Sequence, residues 1–156
     1  MLAYLEAYRN PATLEAPRPV SLDPSTVALT AFLSSVPAGV PSMAEDDVDE
    51  VVDLNQHLVL PGHEPSTFII RVSGWSMIGA GIFDGDEVLV DRALAPRQGD
   101  IVVAMVNNEM TIKRLGKVDD HIALLPENAH FKPIVFRDGE TLSVWGVVTR
   151  CLRTLR

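Results

Sequence analysis

From Thr67 onward the chain alternates short apolar runs with turn residues. Thr67 to Val72, Glu87 to Asp91, Asp100 to Val106, Glu109 to Leu115, His121 to Leu125, Ile134 to Phe136 and Leu142 to Leu152 are rich in β-branched residues and read as strands. Asp84-Gly85-Asp86, Arg97-Gln98-Gly99-Asp100 and Arg137-Asp138-Gly139 supply turns between them. Asn107-Asn108 predicts a tight hairpin, because asparagine tolerates the positive φ that such turns require. The expected class is mainly β, in several coiled antiparallel sheets. Helix is confined to a turn or two after Ser76 and one short segment near the N-terminus.

Before residue 45 the pattern is different. Pro11, Pro17, Pro19, Pro24, Pro37 and Pro41 break the chain, so residues 1–44 are expected to form a flexible arm and residues 45–156 the body. Asp23 or Ser25 could cap a helix from Ser25 to Ser34, with Val27, Leu29, Phe32 and Leu33 as a partial apolar stripe. The acidic run Glu45-Asp46-Asp47-Val48-Asp49-Glu50 reads as a solvated linker; it lacks the alternating ligands and central glycine of a calcium loop.

Composition narrows the class. Hydrophobic residues make up 47% and charged residues 22% of 156, an ordinary globular balance. No apolar run approaches the roughly 18 residues of a membrane helix, and the N-terminus lacks a secretory pattern, so the expected location is cytoplasmic, with no membrane partner. A net charge of −8 opposes autonomous binding to nucleic acid, which depends on cations displacing counterions from phosphates. Cys151 is the sole cysteine, which excludes an internal disulfide and a cysteine zinc site; its apolar neighbours suggest a packing role. His57, His63, His121 and His130 have no ligand spacing and read as surface or packing residues, and no cofactor or metal is expected. Trp145 reads as core.

Candidate chemistry sits at Ser76, within Val72-Ser73-Gly74-Trp75-Ser76-Met77, and at Lys113, on a predicted strand within Thr111-Ile112-Lys113-Arg114-Leu115. A serine hydroxyl is a weak nucleophile until a base takes its proton, and lysine is a base only where burial favours its neutral form. Strand alternation puts Lys113 on one face with Thr111 and Leu115. Gly74 permits a sharp turn, and the backbone amides of Trp75 and Ser76 are candidates for an oxyanion hole. Upstream, Ala38-Gly39 in a proline-rich stretch is a candidate substrate within the same chain.

Together with Ile82-Phe83-Asp84-Gly85-Asp86, Leu89-Val90-Asp91, Gly99-Asp100-Ile101-Val102-Val103-Ala104, Pro126-Glu127-Asn128 and Val144-Trp145-Gly146-Val147-Val148, these segments closely resemble the LexA and UmuD family of self-cleaving serine-lysine proteases. The resemblance covers roughly residues 38–156. It implies Ser76 as nucleophile, Lys113 as general base and Ala38-Gly39 as the scissile bond. It also implies a homodimer whose cleavage is stimulated by the RecA nucleoprotein filament.

The residues ahead of Ala38 indicate the branch. Glu6, Arg9, Glu15, Arg18 and Asp23 leave them slightly acidic, unlike a helix-turn-helix with a basic recognition face. The arm, with Val52 to Leu58 after it, resembles UmuD, the accessory subunit of an error-prone translesion polymerase, and implies a UmuC-like polymerase as partner. Alanine before the scissile glycine is closer to the repressors. The alternatives are a LexA-like stress regulator without its own DNA-binding domain and a non-catalytic module that binds polymerase or RecA. Trp75, beside the nucleophile, either narrows the cleft or packs as core.

Overall fold

The computed structural model describes residues 18–19, 25–32, 38 and 48–156. Among the described residues the strands are β1 (Arg18–Pro19), β2 (Ala28–Phe32), β3 (Val48–Asp53), β4 (Thr67–Arg71), β5 (Glu87–Asp91), β6 (Ile101–Val106), β7 (Glu109–Val118), β8 (His121–Leu125), β9 (Ile134–Val135) and β10 (Ser143–Leu152), with one α-helix, α1 (Leu54–Leu58). All pairings are antiparallel, so the chain is mainly β as the pattern predicts. The larger sheet has the order β1-β4-β5-β10-β6-β7-β8-β9, and β2 and β3 form a separate ribbon.

β10 joins two halves. Its first residues pair with β6 (Ser143↔Met105 to Val147↔Val102) and its later ones with β5 (Val147↔Asp91 to Leu152↔Glu87), with register shifts at Val144/Gly146 and Val148/Arg150. Such irregularities bend a strand and increase its twist, which lets one strand serve two partners. Gly146 lies at the bend because a Cβ there would stand 2.7 Å from Val90 Cγ1 and 3.0 Å from the Asp91 carbonyl oxygen.

Both faces of β6 are covered. Val103 packs with Ile70, Val72, Met77, Ile82, Val88, Val90 and Ile112, whereas Val102 and Ala104 pack with Leu124 and Val147. That explains why Ile101-Val102-Val103-Ala104 is a continuous apolar run. Trp145 packs on the first cluster, half-buried, edge-on to Phe68 at 5.2 Å and under the Arg92 guanidinium at 4.9 Å. Both tight hairpins turn on residues at positive φ, Asn107-Asn108 as expected and Asp119-Asp120 between β7 and β8.

Several local expectations fail, and α1 at Leu54–Leu58 lies outside both places where helix is expected. In place of a helix over Ser25 to Ser34, Ala28–Phe32 is strand β2, and residues 33–34 lie outside the described set. The acidic run is not all linker: Val48–Asp53 is β3, which pairs with β2 from Ala28↔Asp53 to Phe32↔Val48, while residues 45–47 lie outside the described set. Neither strand has a strong pattern of its own, and cross-strand pairing decides. Directly after it Asp53 caps α1, its side chain accepting from the Asn55 amide at 3.1 Å.

Two buried carboxylates hold the ends of β5. Asp91 accepts from Ser66 Oγ at 2.9 Å and the Ala93 amide at 2.8 Å and pairs with His63 Nδ1, so His63 has a structural partner. Asp86 receives Arg153 Nε at 2.7 Å and Nη2 at 2.5 Å, and the Phe83 amide at 2.8 Å. The Arg153 contact outweighs the desolvation of Asp86 and holds its carboxyl down to about 2. Cys151 is exposed and not packed inside, because it follows the second register shift; partial burial and then Asp86 push its thiol up, away from the reactive thiolate. Among the described residues no helix is long and apolar enough to cross a membrane.

Candidate active site

β4 ends at Arg71, and the chain turns through Gly74 at φ +95 before reaching Ser76. The Gly74 amide donates to Asp84 Oδ1 at 2.7 Å, which ties this turn to the next loop. Met77, 2% exposed, is buried in the larger core cluster and anchors the residue after the serine. A single 3-10 turn, Ile78–Ala80, follows and closes on Gly81 in the left-handed region.

The far side of the serine loop is held from the stretch after β8. The Glu127 amide donates to the Ser76 carbonyl at 2.8 Å, and the Gly79 amide donates to the Glu127 carbonyl at 2.7 Å. Asn128 Nδ2 donates to the Trp75 carbonyl at 2.8 Å. Arg114, next to Lys113 on β7 but facing the other way, pairs through Nε with the Glu127 side chain and donates from Nη1 to the Gly99 carbonyl at 2.6 Å. Pro126-Glu127-Asn128 carries no local sign of this clamp, since a contact across some fifty residues leaves no spacing signal.

Close approach makes Gly79 sensitive. A Cβ there would lie 2.6 Å from the Glu127 carbonyl oxygen, a backbone atom that cannot swing aside. Gly79→Ala should destabilise the chain by about 1–3 kcal/mol and displace the serine loop, checked by thermal denaturation alongside a cleavage assay.

Lys113 reaches the same loop from β7. It stands opposite Val102, and Thr111 opposite Ala104, so both lie on the face carrying the second core cluster, as alternation predicts. Its Nζ is 2.9 Å from Ser76 Oγ, 2.9 Å from Thr111 Oγ1 and 2.9 Å from the Ile112 carbonyl oxygen. The residue is only 8% exposed. None of these three partners is a carboxylate, so nothing offsets the loss of hydration, and burial pulls the amine down from 10.5 to about 8. Relative to an exposed lysine, that shift disfavours the charged form by about 3 kcal/mol.

The three contacts match the valence of a neutral amine. The Ile112 carbonyl must accept one N–H and Thr111 Oγ1 can accept the other, which leaves the nitrogen lone pair for the Ser76 hydroxyl proton. Among the described residues, the amides of Trp75 and Ser76 donate to no acceptor. Trp75 is 41% exposed and is not core; it lines a cleft of about 690 Å³ with Arg71, Phe83, Leu152 and Arg153 that neither Ser76 nor Lys113 lines. Ala38 is described and exposed; Gly39 lies outside the described residues.

Residues 31–149 match the Peptidase S24-like family. The chain belongs to that family. The S24-like match begins inside β2 and takes in Ala38, Ser76 and Lys113 together. Similar proteins include the LexA repressor of Caldicellulosiruptor saccharolyticus, 42% identical over 120 residues, covering 76% of this chain and 58% of that one. That of Geobacillus kaustophilus is 45% identical over 119 residues (73% and 56%), and that of Acidothermus cellulolyticus 36% over 152 residues (96% and 53%). The S24-like chain thus spans little more than half the length of these relatives.

Proposed function

We propose that this chain is a self-cleaving regulator of the DNA-damage response. In this reading residues 1–44 form an arm, residues 45–156 a peptidase and dimerisation body, and Ala38-Gly39 is the bond cut. The observation that carries it is the 2.9 Å approach of a desolvated Lys113 amine to Ser76 Oγ.

The chemistry follows from that pair. Neutral Lys113 takes the Ser76 hydroxyl proton as Oγ attacks the Ala38 carbonyl carbon, and the amides of Trp75 and Ser76 donate to the oxyanion. Collapse breaks the bond to the Gly39 nitrogen, which leaves as an amine with the proton from Lys113. A water, deprotonated by Lys113, then hydrolyses the Ser76 ester, freeing the Ala38 carboxylate and restoring the hydroxyl. Each molecule reacts once, so a slow rate serves a switch.

The trigger in this reading is a RecA filament on single-stranded DNA, and the active form is a homodimer. Incubation with RecA, an ATP analogue and single-stranded DNA should yield a fragment beginning at Gly39, identified by N-terminal sequencing. Ser76→Ala should remain whole. An intact wild-type chain, or a cut Ser76→Ala chain, overturns the reading.

We extend it to a UmuD-like accessory subunit of a UmuC-like translesion polymerase. Two features favour this over a repressor: the described residues ahead of Ala38 form strands paired with the body, and the chain carries a net charge of −8. The names of the similar LexA repressors favour the other branch. Retention of a UmuC-like polymerase by the cleaved form supports the extension; a sequence-specific gel shift at moderate salt would replace it with repression.

A further inference from the structure

Two strands ahead of the proposed scissile bond pair with two strands behind it. β1 adds to the outer edge of β4 (Arg18↔Ile69, Pro19↔Phe68), and β2 pairs with β3 from Ala28↔Asp53 to Phe32↔Val48. Flanking contacts extend the second pairing: the Leu54 amide donates to the Val27 carbonyl at 2.9 Å, and Asn55 Nδ2 donates to the Ser25 carbonyl at 3.0 Å. Exposed Ala38 falls in the connection between β2 and β3. Each of these contacts therefore crosses the cut without depending on the bond that is broken.

We infer that cleavage by itself does not release residues 1–38: the severed arm stays docked on β3 and β4 as a bound strand peptide, and its departure is a separate step. The inference rests on the cleavage position proposed above.

Two physical considerations support retention. A lone two-stranded ribbon is marginal in water, so β2 held only by β3 would leave readily once untethered. The fragment, however, carries β1 and β2 on one peptide and grips two sheets at once. While either strand is paired the other rebinds at high effective concentration, which multiplies the two weak attachments. The body has its own reason to keep the peptide. Without β1, the β4 edge presents unpaired backbone groups, an open template for another extended chain. The occupant of that edge after the cut is thus the protein's own arm, and the body becomes an acceptor for a foreign strand only after the arm dissociates.

The test does not need self-cleavage. In the Ser76→Ala chain, residues 41–46 are replaced by the recognition sequence of a site-specific protease, and the protein is cut by adding that protease. On a sizing column in native buffer the two pieces should co-elute at the volume of the uncut chain and separate only in denaturant. Elution of the small piece on its own in native buffer overturns the inference. Leu29→Pro, which disrupts the β2 ladder, should free the small piece from the cut protein while the uncut variant still elutes as one folded species. If the cut Leu29→Pro protein retains the piece like its parent, strand pairing is not what holds it, and the inference also fails. Because the protease makes the cut, a failure of autocleavage would leave this result readable.

Discussion

Lys113→Met and Lys113→Arg chains should fold and resist cleavage: under the proposed function, the single-turnover rate should drop roughly 100- to 10,000-fold against wild type, the range of a lost general base. Methionine keeps an unbranched stem at the position opposite Val102 but has no nitrogen to take the Ser76 proton. Arginine keeps the positive charge and loses the base, because a guanidinium does not give up its proton in a protein. Equal losses in the two variants assign the role to a neutral nitrogen. Cleavage surviving in Lys113→Arg would instead make the charge the working part. Circular dichroism and a thermal melt separate loss of chemistry from loss of fold.

The second large effect is on pH. In the proposed mechanism the active form is the neutral amine, and its fraction grows with pH until the pKa is passed. Cleavage should therefore accelerate roughly tenfold per pH unit below the Lys113 pKa of about 8 and level off above it. At pH 7 a pKa of about 8 leaves about one molecule in ten neutral, against roughly one in three thousand at the ordinary value of 10.5. In the proposed mechanism, burial of this one side chain thus raises the competent fraction at pH 7 roughly 300-fold before any transition-state effect. Rates measured in a stopped series of buffers at constant ionic strength, with filament assembly held constant, read the profile. A flat profile removes Lys113 as the base.

Much of this was legible in the residues. Glu87–Asp91 and His121–Leu125 fall where apolar runs meet turn residues, and their bounds coincide with β5 and β8. The turn at Asn107-Asn108 follows from residues that accept positive φ. β7 continues past the expected end at Leu115 to Val118, and Gly116 fits within it where a Cβ would meet Leu125 Cδ1 at 2.5 Å. β2 and β3 were hidden for a different reason. Val27, Leu29 and Phe32 mimic a helical stripe, and the acidic residues before Val51 mimic a linker, so only the pairing of two distant segments makes either a strand.

The candidate site divides the same way. Ser76, Lys113 and the alternation that sets Thr111 beside Lys113 can be read locally, since spacing along one strand fixes which side chains share a face. The approach of β7 to the serine loop and the clamp from Glu127 and Asn128 depend on long-range closure of the sheet. The depth of Lys113 likewise comes from strands that cover it. Nothing within Thr111 to Leu115 reveals how dry the amine is.

That dryness is open to direct measurement. Nuclear magnetic resonance of the wild-type chain labelled with 13C at lysine Cε, with Lys113→Arg to assign the signal, follows the Lys113 amine through a pH titration in the absence of filament. The predicted midpoint is about 8. A midpoint at the ordinary 10.5 would contradict the role of Lys113 as the base that activates Ser76.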